Sequence, residues 1–262
     1  MRVLFLGDVV GRPGRRALAR ILPGLIARED VGFVVANCEN ASGGKGVDPA
    51  AAEELRDAGV DVLTSGNHVW QHRAIIGYLE ENARLLRPLN FPPGVPGRGW
   101  TVRPARRSGV PVGVLNVIGR VFMAPAECPF RMADEAVAAI RESAVIVVVD
   151  MHGEATSEKV AMGWFLDGKV SAVVGSHTHV QTADEGILPG GTAYLTDAGM
   201  CGPEVSILGV RSDQVIRRFL TQMPTRFEVA GGPVLVQGAL VDVDETTGRA
   251  TGIRRVRERV DS

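Results

Sequence analysis

The stretch FVVANCENASGG, residues 33–44, runs through apolar and β-branched residues into a carboxylate, Glu39, flanked by Cys38 and Asn40 and followed by Gly43 and Gly44. A near-continuous apolar run reads as a strand of a parallel sheet, buried on both faces. In open α/β sheets ligands bind outside the carboxyl ends of such strands. Glu39 and Asn40 therefore stand at an expected binding edge. Alternation along the strand points the Cys38 side chain away from Glu39 and into the core.

Runs of the same kind recur outward from this one: VLFLGD to Asp8, VDVLTSGNH to His68, VGVLNVIG to Gly119, AVIVVVDMHGE to Glu154 and SAVVGSHTH to His179. Helical patterns lie between several of them. Leu18, Ile21, Leu22 and Leu25 share a face from Pro13 to about Arg28, and Asp48 is placed to cap a helix from Pro49 to Asp57 that stops at Gly59. Further helices are expected at 133–142, 157–167 and 211–220. The alternation predicts parallel βαβ units and an α/β fold. The C-terminal part, from Gly232 to Val260, predicts an antiparallel hairpin turning at Thr247-Gly248, with Arg255, Arg257 and Arg259 on a solvated strand face. The Pro- and Gly-rich segment 87–100 reads as a long surface connection. With no internal repeat and no linker, residues 1–262 are expected to form a single domain.

Composition narrows the function. Among 262 residues, 45% are hydrophobic and 23% charged, which excludes a disordered or fibrous chain. No run approaches the roughly 20 apolar residues of a membrane span. The opening MRVLFLGDVVG reads as a first strand rather than a signal peptide, so a cytoplasmic protein with no membrane partner is expected. Cys38, Cys128 and Cys201 show no CxxC spacing, which indicates neither a disulfide framework nor a thiolate zinc site. A net charge of −1 argues against bulk nucleic-acid binding. Oligomeric state is not legible, although segment 87–100 and the C-terminal hairpin are candidate surfaces for a homo-oligomer.

The residues at the strand ends are Asp8, Glu39, Asn40, Asn67, His68, His152, His177 and His179, and they include four of the five histidines in the chain. In one parallel sheet these ends would share one edge and converge. Imidazole, carboxylate and amide oxygens together suit Zn, Fe(II), Mn or Ni better than Mg or Ca. Seven candidate ligands exceed the needs of one catalytic ion and fit two. A pair of ions about 3.5–4 Å apart, sharing a bridging carboxylate, can clamp the attacking and leaving oxygens of a displacement at phosphorus. Two divalent cations less two carboxylates and a hydroxide leave about one positive charge, which favours an anionic substrate.

LGDVVG, ANCENASGG, TSGNHVW, DMHGEATSEK and GSHTHVQTAD, taken in that order, resemble the calcineurin-like metallophosphoesterases and, within them, the YmdB-type family over essentially the whole chain. The resemblance implies a β-sheet core flanked by helices. It also implies that Asp8, Glu39, Asn40 and His179 hold one metal, and that Glu39, Asn67, His152 and His177 hold the other, with Glu39 as bridge. His68 matches the family histidine that faces the substrate phosphate. Most members of the superfamily begin Asp-x-His, but Val10 stands two residues beyond Asp8, and Asn40 takes the vacant role. That oxygen-rich first site points to Fe(II) or Mn(II). The activity implied is phosphodiester hydrolysis, with 2′,3′-cyclic nucleotides as substrates and a metal-bridging hydroxide as nucleophile. A phosphomonoesterase and a metal-binding regulatory scaffold are the alternatives.

Other readings of the same residues fail on chemistry. GDVVGRPG is not a dinucleotide fingerprint, because Asp8 would face the pyrophosphate, and SGGKG lacks the Ser or Thr of a P-loop. A His-x-His this late in the chain is unlike an amidohydrolase. Among lesser features, His72 is expected to be exposed. Asp150 and Asp197 either orient imidazoles from behind or cap turns. Arg12 and Lys45 either contact phosphate or sit at the surface.

Overall fold

The computed structural model describes residues 1–261. In chain order the elements are β1 (Arg2–Leu6), β2 (Asp8–Val9), α1 (Gly11–Arg28), β3 (Val31–Asn37), α2 (Pro49–Asp57), β4 (Val62–Thr64), α3 (Ile75–Glu81), β5 (Trp100–Pro104), β6 (Pro111–Ile118), α4 (Pro129–Arg141), β7 (Ile146–His152), α5 (Thr156–Phe165), β8 (Ala172–Ser176), β9 (Gly186–Ile187), β10 (Ala193–Leu195), β11 (Met200–Pro203), α6 (Ser212–Thr221), β12 (Val234–Val243) and β13 (Ala250–Val260). The expected helices are all present within a few residues. Asp48 caps α2 by accepting from the Ala51 amide at 2.9 Å. None of these helices is long and apolar enough to cross a membrane.

The strands form two sheets rather than the one parallel sheet whose edge the sequence suggested. One runs β2-β11-β12-β1-β3-β4, with β13 paired to β12, and the other runs β5-β6-β7-β8-β10-β9. β1, β3 and β4 are mutually parallel, as are β6, β7, β8 and β10. The period-2 alternation of each strand explains the layering. Val3, Phe5, Phe33 and Val35 of the first sheet meet Val114, Ile146, Val148 and Val174 of the second in a shared core. Leu4, Leu6, Val34 and Ala36 point outward to α1 and α2, and Val147, Val149 and Met151 point outward to α4 and α5. The layers are helix, sheet, sheet, helix. Cys38 lies in the outer core of the first sheet, as its parity requires.

The C-terminal hairpin is present, with β12 and β13 antiparallel and Gly248 in the left-handed region at the turn. Its arginines face solvent, where Arg255 and Arg259 pair with Glu185 and Glu204. Segment 87–100 departs from expectation, since residues 87–90 are largely buried against the end of β6 instead of crossing the surface. The Leu89 amide donates to Asn116, and the Asn90 side chain bonds the Ile118 carbonyl and amide, each at 2.8 Å. Backbone groups beside a strand edge need partners, and this segment supplies them.

Candidate metal centre

The inner faces of four strands turn polar as they reach their carboxyl ends. Val35 is followed on its face by Asn37, Val62 by Thr64, Val148 by Asp150 and His152, and Val174 by Ser176. All five polar residues are fully buried. Asp150 accepts from Ser176 Oγ at 2.6 Å, from Asn37 Nδ2 at 3.0 Å and from Thr64 Oγ1. Ser176 Oγ is in turn 2.9 Å from His152 Nδ1. Because the serine hydroxyl is committed to Asp150, it accepts from Nδ1–H, and Nε2 of His152 is the nitrogen left facing outward. Asp150 thus orients an imidazole from behind, through Ser176.

His152 Nε2 lies 3.2 Å from both Glu39 Oε1 and Asn67 Oδ1, and 3.1 Å from His177 Nδ1. Glu39, His152 and His177 can each bring a donor atom within 4.8 Å of the others, an arrangement that could hold a metal ion. Beside them, His179 Nε2 is 3.2 Å from Asn40 Oδ1 and 3.9 Å from Asp8 Oδ1. The eight strand-end residues singled out in the sequence therefore come together, from both sheets. Glu39, Asn40, His68, His177 and His179 line a cavity of about 270 Å³, with Glu154 and Leu208 in its walls.

Each of the three imidazoles has one nitrogen tied outside the cluster. His152 uses Nδ1 on Ser176, His179 donates Nδ1–H to the Leu208 carbonyl at 3.1 Å, and His177 Nε2 lies 3.1 Å from Glu154 Oε2. The other nitrogens converge. The Asn40 amide is fixed likewise, its Nδ2 donating to the Gly44 carbonyl at 3.0 Å so that Oδ1 faces His179. Glu154 and the Leu208 carbonyl have no role in the sequence reading. Glu154 closes a run noted there but sits among other polar residues, and a backbone carbonyl leaves no trace in residue identity.

Charge in this cluster is tightly balanced. Burial raises the Asp8 carboxyl above its ordinary range against the pull of His179 and His152. Burial also opposes ionisation of Glu39, but the charge of His152 and hydrogen bonds to His152 and His177 outweigh it and hold the carboxyl well below the usual range. His152 is pushed up to about 9, since Glu39, Asp8 and Asp150 overcome its desolvation. Burial lowers His68, favouring neutral imidazole, with Glu39 opposing.

Two observations show that this donor set fits divalent metal. Asp8 accepts from the His177 amide through Oδ2 at 3.0 Å, but its Oδ1, fully buried, has no hydrogen-bond partner. An orphaned buried carboxylate oxygen is suited to a cation. In addition, a Cβ at Gly66 would fall 2.2 Å from His152 Nε2 and 2.4 Å from Glu39 Oε2, so glycine alone leaves the space between these donors clear.

The histidine strap after β8 is held from behind. His177 and His179 both adopt positive φ, 98° and 64°, a conformation that costs a non-glycine residue about 1–3 kcal/mol. Between them, Thr178 donates its amide and hydroxyl to Asp197 Oδ2 at 3.1 and 2.7 Å, and buried Lys159 donates to the same oxygen at 2.7 Å. Asp197 therefore fixes the strap rather than an imidazole directly. His72 also departs from expectation: it is half-buried, and its Nε2 lies 3.0 Å from the Lys45 carbonyl. The side chains of Arg12 and Lys45 are exposed and do not line the 270 Å³ cavity.

The chain is similar throughout its length to known proteins. Over 256 residues, 98% of this chain and 96% of the relative, the sequence is 44% identical to a Bacillus subtilis (strain 168) protein named 2′,3′-cyclic-nucleotide 2′-phosphodiesterase. Crystal structures of a Thermus thermophilus protein (42% identity, covering 99% of each chain) and of a Mycoplasma pneumoniae protein described as a novel phosphatase (32% identity, covering 100% and 94%) each superpose with a TM-score of 0.92. The 5′-nucleotidase of Candida albicans shares the fold at 11% identity and a TM-score of 0.55, matching 98% of this chain and half of its own. Residues 4–256 match the family model described as YmdB-like protein, and the chain belongs to that family of metallophosphoesterase fold.

Proposed function

We propose that this chain is a phosphodiesterase that uses two divalent metal ions to hydrolyse 2′,3′-cyclic nucleotides, its whole length acting as one domain. The observation that carries this reading is the 44% identity, over 98% of the chain, to the Bacillus subtilis protein of that name. Asp8, Glu39, Asn40 and His179 would hold one ion, and Glu39, Asn67, His152 and His177 the other, with Glu39 shared. The oxygen-rich first set favours Fe(II) or Mn(II). When bound, such ions supply an activated water and Lewis-acid stabilisation of charge on the phosphoryl oxygens.

The chain's own residues supply position and a hydrogen-bond donor. Asp150, Ser176, Glu154 and the Leu208 carbonyl keep the imidazoles from turning, so the donors need not reorganise during reaction. His68, lining the cavity and held neutral by burial, offers an N–H to the oxygen that leaves phosphorus. The complete donor set speaks against a scaffold that has lost hydrolysis.

The test is hydrolysis of a cyclic nucleotide panel by Mn-loaded protein, beside Asp8→Asn and a phosphomonoester control. Turnover of 2′,3′-cyclic substrates that Asp8→Asn abolishes is expected. Turnover of the monoester alone would make the chain a phosphomonoesterase. No turnover of any phosphate ester, with two ions bound, would leave the regulatory scaffold.

A further inference from the structure

A second hollow, of about 530 Å³, lies beyond the loop that carries Asn40, and Arg12, Ser42, Gly43, His72, Arg226 and Phe227 are among the residues that line it. The loop is the wall between the two sites: Asn40 lines the first, and Ser42 and Gly43 the second. Close packing assembles the hollow from distant parts of the chain. A Cβ at Gly11 would meet Val229 at 3.0 Å and one at Gly44 would meet it at 2.9 Å, so Val229 lies directly against the start of α1 and the Asn40 loop. His72 joins the loop through the Ser42 and Lys45 carbonyls.

Charge accounting shows what the hollow is suited to hold. Its other charged groups are occupied: Arg15 pairs with Glu54 at 2.6 Å, Glu228 accepts from Arg211 and Gln214, and Asp48 accepts from Ser42 Oγ and the Ala51 amide. Among the described residues, the exposed side chains of Arg12 and Arg226 form no hydrogen bond or ion pair. Arg12 also sits in the first turn of the 18-residue helix α1, where no acidic residue offsets the positive end of the helix. Guanidinium groups present paired donors that match phosphate, and the ring of Phe227, 41% exposed, offers a stacking face. The volume falls within the range of about 300–1,000 Å³ usual for small-ligand sites.

We propose that this hollow binds a second nucleotide, with its phosphate between Arg12 and Arg226 and its base on Phe227. The proposal rests on the phosphodiesterase reading only for its connection to catalysis. The ligand is either a free nucleoside monophosphate or the neighbouring nucleotide of an oligonucleotide that ends in a 2′,3′-cyclic phosphate.

The experiment compares the metal-loaded protein with an Arg12→Ala/Arg226→Ala variant in two arms. In the first, 5′-AMP is titrated calorimetrically. A free nucleotide as ligand gives two binding events per chain, of which the double variant loses one. Phe227→Ala then weakens that event about fivefold or more for 5′-AMP and less for inorganic phosphate, whereas equal weakening of both would remove the ring from the proposal. In the second arm, kcat/KM is measured for a dinucleotide ending in 2′,3′-cyclic phosphate and for the cyclic mononucleotide. A neighbouring nucleotide as ligand makes the ratio of the two fall tenfold or more in the double variant. If neither the 5′-AMP titration nor that ratio responds to the arginines, the proposal is overturned. If the arginine-dependent 5′-AMP event is present but no cyclic substrate is hydrolysed, the catalytic reading fails and the hollow stands.

Discussion

His177 and Glu154 are joined at 3.1 Å through Nε2 and Oε2, which turns His177 Nδ1 toward His152 and Glu39. The carboxylate fixes both tautomer and ring angle, although it is half exposed and ends no strand. Glu154→Ala is expected to weaken binding of Mn(II) about 10- to 100-fold, the usual cost of losing such a partner. Glu154→Gln, which keeps an acceptor oxygen, should recover much of it. Calorimetric titration reads both, and unchanged affinity in the alanine variant would show that His177 needs no such support.

Lys159 and Asp197 form a buried pair at 2.7 Å, and the aspartate also clamps Thr178 between two histidines of positive φ. Removing one partner of a buried pair leaves an uncompensated charge and costs about 3–5 kcal/mol. Lys159→Met should lower unfolding stability by about that amount, read from denaturant midpoints. Because the strap is strained, the same variant should also bind metal more weakly under conditions where it remains folded. Loss of stability with metal affinity intact would mean that the strap keeps its shape without the clamp.

The proton on His152 sets the pH dependence of metal loading. With its folded-state value pushed up to about 9, His152 in the metal-free protein carries a proton throughout the neutral range, and an ion must displace it. Affinity should therefore rise with pH, by about tenfold per unit for each proton displaced, and level off above pH 9. Titration in buffers of different ionisation enthalpy should report close to one proton released at this site. A flat profile from pH 6 to 8 would remove His152 from the set of groups that metal displaces.

The convergence of Asp8, Glu39, Asn67, His152 and His177 was legible because each lies at or near the end of a run that begins apolar, a pattern that survives without any knowledge of pairing. The division into two sheets was not. In IVVVDMH, residues 146–152, the first four positions are all apolar, so that part of the strand carries no mark of which side meets the other sheet and which meets a helix. The helix Ile75–Glu81 was missed for a different reason: seven residues with Gly77 inside give too little periodicity to register. His72, expected to be exposed, is held by backbone carbonyls, whose positions depend on a loop conformation set by glycines at positive φ.

Glu39 and His68 separate the two kinds of residue in the site. Glu39 Oε1 lies 3.2 Å from His152 and 3.8 Å from His177, while its Oε2 accepts from the His68 amide at 3.1 Å, so one carboxylate spans the cluster. Glu39→Ala should impair both metal sites together and also free the His68 backbone. His68→Ala should retain two ions and slow turnover about 10²- to 10³-fold, the usual cost of losing a donor aimed at charge that develops in the transition state. Metal content by elemental analysis, set beside kcat, distinguishes them. Two tightly held ions in Glu39→Ala would end its role as a bridge, and a lost ion in His68→Ala would make that histidine a ligand.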